Sequence, residues 1–195
     1  MEFRDVLERR RSVRSFEETP ISRSTLQGLI EAATLSPSAM NSQPWEFWVF
    51  EGEQTIETLS VRAQLWLDEK VAEDPTASGV LQRLHLGTAE FSLFHHAPAL
   101  ILIVAQASGR QPEDDCCLAA ASLMLAARNA GLGTCWIGAS REWFNLPSSK
   151  VDLGIPLDKN VVAPVVIGYP TDWPEASPRK IPTIHWRSKD DLPST

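Results

Sequence analysis

The sequence predicts a single domain of mixed class, α+β or a three-layer α/β sandwich, on three observations. Helical and strand patterns are interleaved along all 195 residues. No repeat period and no linker-like stretch divides the chain. A composition of 43% hydrophobic and 22% charged residues is that of a chain with a substantial core.

The elements follow in order. Phe3, Val6 and Leu7 stand at i, i+3, i+4, one face of a short helix over 2–10, and the basic stretch RRSVRSF at 10–16 follows its C-terminal end. A second helix takes Ser22 or Ser24 as N-cap, the latter with Gln27 completing a capping box. Leu26, Leu29, Ile30 and Ala33 line its face and Pro37 stops it. The aromatic run WEFWVF at 45–50 reads as a strand leaving the small polar loop SPSAMNSQP.

Residues 53–95 mix helical leucine spacing (Leu59, Leu65, Leu67) with Pro75, Ser78 and Gly79, which predicts a helix, a break and a further helix up to FHH. PALILIVA at 98–105 is far short of the roughly 20 residues that span a bilayer, so it reads as a buried strand. Pro112 and three acids precede an Ala/Leu-rich run ending at Gly131, whose all-round apolar character predicts a central buried helix. After TCWIGA come a short helix around 141–145, a turn with Pro147 and Pro156, and a strand over VVAPVVIGY at 161–169. The Pro-interrupted tail has too few apolar residues to hold itself against this core, and is expected to wrap a partner subunit.

Charge narrows the function classes. With 18 Lys+Arg against 25 Asp+Glu the chain carries a net charge of -7, which argues against nucleic acid or an anionic membrane as partner. MEFRDVLERRR lacks the apolar stretch of a secretory signal, so a cytoplasmic location is expected. Cys116, Cys117 and Cys135 lack metal-ligand spacing and read as buried free thiols. No metal site is expected.

The common catalytic motifs are absent: neither a phosphate loop of the G-x-x-x-x-G-K-[ST] type nor a G-x-S-x-G elbow occurs. The glycines of GLGTCWIG follow a helix instead of opening one, unlike a dinucleotide fingerprint. His95 and His96 are adjacent, point apart on a helix, and are expected in structural or surface roles. What remains is a dispersed set: basic and hydroxyl residues at 10–14, small polar residues at 36–43, TCWIG at 134–138, and Arg179 with Lys180. Two basic clusters from opposite ends of the chain can converge on one phosphate, each charge-assisted bond worth about 1.5–3 kcal/mol. The bland alternative is that the arginines complement a helix C-terminus and that Arg179 and Lys180 are solvated tail charges.

Taken in order, RRSVRSF, SPSAMNSQPWEF, GLGTCWIG, VIGYP and PRK…HW resemble the flavin-dependent nitroreductase family of the oxygen-insensitive NAD(P)H type. The similarity runs nearly end to end and is weakest over 52–90. It implies an α+β three-layer sandwich with a central, mostly antiparallel sheet flanked by helices. It further implies an intertwined homodimer with FMN at the subunit interface, the segment from about 170 to 195 wrapping the partner.

By resemblance, Arg10 and Ser12 are phosphate and ribityl ligands, Arg11 contributes largely through its backbone, and Arg14 approaches the pyrimidine edge of the flavin. Arg179, with Lys180 as second choice, closes on the phosphate. Pro37, Ser38, Ala39 and Asn41 match the segment that reaches FMN from the other subunit, with Gln43 and Trp45 anchoring it. Cys135 and Trp136 lie along one flavin face, and the backbone N–H groups of Ile137 and Gly138 lie near flavin N5 and O4. A packed core aromatic is the other reading of Trp136.

The resemblance implies no catalytic side chain, because FMN carries the chemistry. Hydride passes from NADH or NADPH to flavin N5 and then to a nitroaromatic, a quinone or a similar small acceptor, in ping-pong fashion. Dehalogenation, dehydrogenation, or flavin binding without turnover are the alternatives. The chain departs from the family in being short, in having a single tyrosine, Tyr169, and in offering no clear middle-region equivalent of the polar residue that longer relatives send to the flavin.

Overall fold

The computed structural model describes residues 1–73 and 91–188. Among these, four strands form one antiparallel sheet in the order β1-β2-β4-β3: β1 (Trp45–Glu51), β2 (Ala99–Ala105), β3 (Gly133–Trp136) and β4 (Asn160–Gly168). Every side chain of β2 is buried, because the sheet is covered on both faces and the strand period of two sends alternate residues to opposite layers. Ile101 and Ile103 join one apolar cluster, Leu100, Leu102 and Val104 the other. A bulge in β4 shifts the register between Ile103 and Val104, so that Val162 and Ala163 both enter the first cluster.

Helices supply the outer layers. On one face lie α2 (Arg23–Thr34), through Leu26, Leu29 and Ala33, and α4 (Arg110–Asn129), through Cys116, Ala119, Ala120, Leu123 and Ala127. On the other lies α3 (Glu53–Glu73), through Ile56, Leu59, Ala63 and Leu67, with Trp143 and Phe144 of the short α5 (Arg141–Phe144). The arrangement is the α+β sandwich that the sequence predicts. Among the described residues no helix is long and apolar enough to cross a membrane.

Local chemistry sets the boundaries. Ser22 caps α2 by accepting from the Thr25 amide at 3.1 Å, and the helix ends at Thr34, three residues before the expected stop at Pro37. Pro112 sits within the first turn of α4, where a missing N–H costs no helical bond. Gly154 closes α6 (Pro147–Leu153) in the left-handed conformation.

Two expectations fail in an informative way. α1 (Phe3–Arg9) buries only Val6, while Phe3 is 71% exposed and Leu7 is also exposed. Likewise α4 is not covered all round, since Leu118 and Ala121 face outward. The apolar pattern in both helices is wider than one chain's core can cover. The further helix expected before FHH falls mostly outside the described residues, and residues 93–96 themselves form a turn.

Candidate active site

The basic stretch is placed by β3. Arg10 ends α1 by turning extended while its amide still donates to the Val6 carbonyl at 2.9 Å. The chain then runs beside β3 through a parallel bridge of Ser12 with Thr134, and beside β4's end through Phe16 and Pro170. Val13 is fully buried, so its neighbours Ser12 and Arg14 are directed away from the core by alternation. This approach requires a glycine: a Cβ on Gly133 would fall 2.7 Å from Val13.

The tail returns to the same place. Trp173 lies under the Arg128 guanidinium at 3.6 Å, and the Glu175 carbonyl accepts from Arg11 Nε at 3.3 Å. A cavity of about 250 Å³ results, lined by Arg10, Arg11, Ser12, Arg14 and Arg179 with Pro174, Glu175 and Ser177. The two ends of the chain therefore meet. Lys180 is not among the lining residues.

The three arginines of the stretch are not equivalent. Arg11 Nη1 donates to the carbonyls of Glu8 and Arg10, each at 2.7 Å, so it caps α1 as the bland reading requires. Arg14 makes one long bond, 3.5 Å to the Ser12 carbonyl. The guanidiniums of Arg10 and Arg179 make no hydrogen bond or ion pair among the described residues. Free guanidinium donors in a polar cavity are the arrangement that binds an oxyanion.

A second cavity, about 70 Å³, adjoins the end of β3 and is lined by Phe91, Leu93, His95, Cys135, Trp136, Ile137, Gly138 and Ala139, together with Arg14. Arg14 lines both cavities. Burial pushes the Cys135 thiol up, against the opposing pull of Arg14 and Arg10, so it stays protonated. Burial likewise raises Cys116, to about 12, and Cys117, although Cys117 is half-buried and not fully buried as expected. Trp136 packs on the core cluster and also lines the cavity.

The donor expected at Ile137 is not free. Its amide donates to the Pro164 carbonyl at 2.8 Å, because β3 is still pairing with β4 there. The adjacent 3-10 turn, Gly138–Ser140, begins just afterwards, and the amides of Gly138 and Ala139 have no acceptor among the described residues. Free amides therefore begin one residue later than the sequence implies, among the described residues. Arg141, bonded to Glu113 at 2.7 Å, and Asn145, bonded to the Val161 carbonyl at 2.8 Å, fasten the turn to the fold.

The loop over 36–43 stands apart from both cavities of its own chain. Ser36 Oγ bonds Ser122 Oγ at 2.6 Å, and the Ala39 amide donates to both carboxylate oxygens of buried Asp115, at 3.2 and 3.3 Å. Ser38 Oγ accepts from the Gln43 amide at 3.0 Å, and Asn41 Oδ1 accepts from Gln43 Nε2 at 3.2 Å. Met40, Asn41 and Gln43 all adopt positive φ. Pro37, Ser38, Ala39 and Asn41 line neither cavity.

His95 corrects a second expectation. It is neither on a helix nor a mere surface residue: His95 and His96 form a left-handed turn, with φ of 56° and 52°, and His95 lines the cavity. Burial first, then Arg14 and His96, lowers its pKa to about 4. His96 points away, its Nδ1 3.4 Å from Glu57. No periodicity announces this turn, which tertiary contacts hold in place. A groove of about 520 Å³ along α3, lined by Glu53, Gln54, Glu57, Thr58, Val61 and Arg62, has none of the predicted site residues.

A sequence model described as the Nitroreductase family matches residues 7–169. The chain belongs to the nitroreductase family. It is 29% identical over 168 residues, 84% of this chain and 82% of the relative, to an Archaeoglobus fulgidus protein with the provisional name NADH dehydrogenase/NAD(P)H nitroreductase. It is 26% identical over 190 residues, 90% of this chain and 92% of the relative, to iodotyrosine deiodinase of Thermotoga neapolitana. Among solved structures, an FMN-bound nitroreductase from Bacteroides fragilis superposes with a TM-score of 0.81 at 23% identity, covering 96% of this chain and 100% of that one. Iodotyrosine deiodinase bound to FMN and 3-iodo-L-tyrosine superposes with a TM-score of 0.75 at 21% identity, covering 95% and 99%. These likenesses establish the nitroreductase-like fold.

Proposed function

We propose that this nitroreductase-family protein is an FMN-dependent oxidoreductase, acting as a homodimer that passes hydride from NADH or NADPH to a nitroaromatic, quinone or similar acceptor. The observation that carries this reading is the convergence of Arg10, Ser12 and Arg14 with Arg179 in one cavity, two of these guanidiniums having no partner among the described residues. A phosphate monoester fits that set by charge and donor count. The adjoining cavity offers an indole, apolar walls and two free amides, which suit a flat heterocycle with acceptor atoms on its edge.

FMN, when bound, supplies the two-electron chemistry at its N5. This chain's residues do the rest. Arg10 and Arg179 hold the phosphate, Ser12 meets the ribityl chain, and Arg14 meets the edge on which reduction places negative charge, thereby favouring the reduced state. The Gly138 and Ala139 amides fix the orientation of the ring without a titrating group. Leu93, Phe91 and Trp136 exclude water from one side.

The shared site rests on surface left uncovered. Leu35, Met40 and Leu118 are exposed around α4 and the 36–43 loop, and residues 173–188 carry no helix or strand, with Ile181 93% and Trp186 86% exposed. A second copy burying these side chains brings Pro37, Ser38, Ala39 and Asn41 to the neighbouring cavity. Reductive dehalogenation is the second reading, favoured by the deiodinase among the relatives. Initial rates with varied NADH and a quinone test the scheme: parallel double-reciprocal lines support it, and intersecting lines reject ping-pong transfer.

A further inference from the structure

We propose that His95 is the proton acceptor of this site, gaining one proton from solvent when the cofactor is reduced and surrendering it to the acceptor in the second half-reaction. The inference rests on the FMN reading and adds a titrating residue to it.

Position is the first argument. His95 lines the cavity shared by Arg14, Cys135, Trp136 and Gly138. The turn that presents it is built from two consecutive left-handed residues, a conformation that costs of order 1 kcal/mol or more for each non-glycine residue and persists only when its surroundings enforce it. They do so here. Ser92 Oγ reaches Ser60 Oγ and Glu57 at 3.0 Å each, the Phe94 amide donates to Ser60 Oγ at 3.3 Å, and Phe94 is fully buried. Phe91 meets the imidazole edge-on at 6.5 Å.

The second argument is charge. The groups facing the ring are the Arg14 guanidinium from the 10–16 segment, His96 from its own turn, and the protonated Cys135 thiol from β3. Glu57 of α3 engages His96 and Ser92 and does not figure among the groups acting on His95. Among the described residues the charges acting on the ring, Arg14 and His96, join burial in lowering its pKa to about 4. A negative charge in the cavity would oppose both of these charges. Reduction of the cofactor supplies one, offsetting Arg14 and attracting an imidazolium, so the affinity of His95 for a proton rises with reduction.

The balance closes. In the first half-reaction NAD(P)H gives up a hydride and leaves as NAD(P)⁺, the cofactor gains two electrons and one proton's mass with one negative charge, and a proton moves from water to the His95 ring. In the second, a quinone takes that hydride and the His95 proton, leaving as its hydroquinone, and both groups return to their starting states.

The test is proton uptake during anaerobic photoreduction of the FMN-loaded protein at about pH 5.5, read with a pH-indicator dye. Asparagine tolerates the left-handed backbone, so His95→Asn keeps the turn and a polar side chain while removing the titration. Wild-type protein is expected to take up about two protons per electron pair, and His95→Asn about one. Equal uptake in the two overturns the assignment while leaving the FMN reading intact; wild-type protein that binds no FMN overturns both. A measurement independent of any variant is the His95 imidazole NMR signal of the wild-type protein. It is expected neutral when oxidised and protonated when reduced at that pH, and a ring that is neutral in both states overturns the inference.

Discussion

The Val13 amide donates to the Thr134 carbonyl at 3.0 Å, and Gly133 lies against the Val13 side chain with no room for a Cβ. This one contact joins the arginine stretch to the strand whose end supplies Trp136 and the two free amides. The two cavities that share Arg14 are therefore both tied to this contact. Gly133→Ala is expected to cost about 1–3 kcal/mol by overpacking and to lower FMN retention. Gly28→Ala, at an exposed position of α2 where a Cβ meets nothing within 4 Å, is expected to raise stability by about 0.5–1 kcal/mol. Thermal denaturation of the two variants, with and without FMN, checks both signs.

The sequence exposed the fold more fully than the site. β2 was legible because seven apolar residues form an uninterrupted run, and α4 because alanine and leucine recur around it. The Arg10–Arg179 convergence was legible only as two charge clusters in an acidic chain, since nothing local tells Trp173 to settle under Arg128. The engagement of the Ile137 amide is not legible either, since pairing to Pro164 continues one residue beyond β3. The left-handed turn at His95 is not legible, because Ser60 and Ser92 hold it from across the fold and no periodic pattern encodes it.

Arg179 and Lys180 are neighbours with different fates. Only Arg179 lines the cavity with Arg10. Removal of one charge-assisted bond costs about 1.5–3 kcal/mol, so Arg179→Ala and Arg10→Ala are each expected to weaken FMN binding about 10- to 100-fold. Lys180→Ala is expected to leave it within about twofold. Fluorescence titration of the apoprotein with FMN distinguishes these outcomes.

Asp115 is buried and accepts from the Ala39 amide with both oxygens. Asp115→Ala strands that amide, at a cost of about 1–3 kcal/mol, and releases the 36–43 loop from α4. If that loop completes the neighbouring site, FMN affinity falls although no cavity-lining residue has changed. Dimer dissociation by analytical ultracentrifugation, measured beside FMN affinity, is expected to shift in parallel.

The His95 titration also sets a pH dependence of folding in the cofactor-free protein. Its folded pKa, about 4, lies below the ordinary histidine value near 6.5, so between these values the unfolded chain binds more protons and stability falls as pH falls. The loss is complete below about pH 4 and, discounted for the partly exposed ring, amounts to about 1–2 kcal/mol. His95→Asn removes this component. Urea unfolding of both proteins at pH 7 and pH 5 is expected to show a smaller drop in the variant, and equal drops would place the His95 pKa near its ordinary value.

The central claim, that the arginine-lined and tryptophan-lined cavities together form a working flavin site, meets its most direct test in an anaerobic visible spectrum of the FMN-loaded protein titrated with NADH and then NADPH. The account predicts a yellow protein that bleaches with at least one nicotinamide and regains its colour when a nitroaromatic or quinone is admitted. Protein that takes up no FMN, or a flavin that neither nicotinamide bleaches, contradicts it.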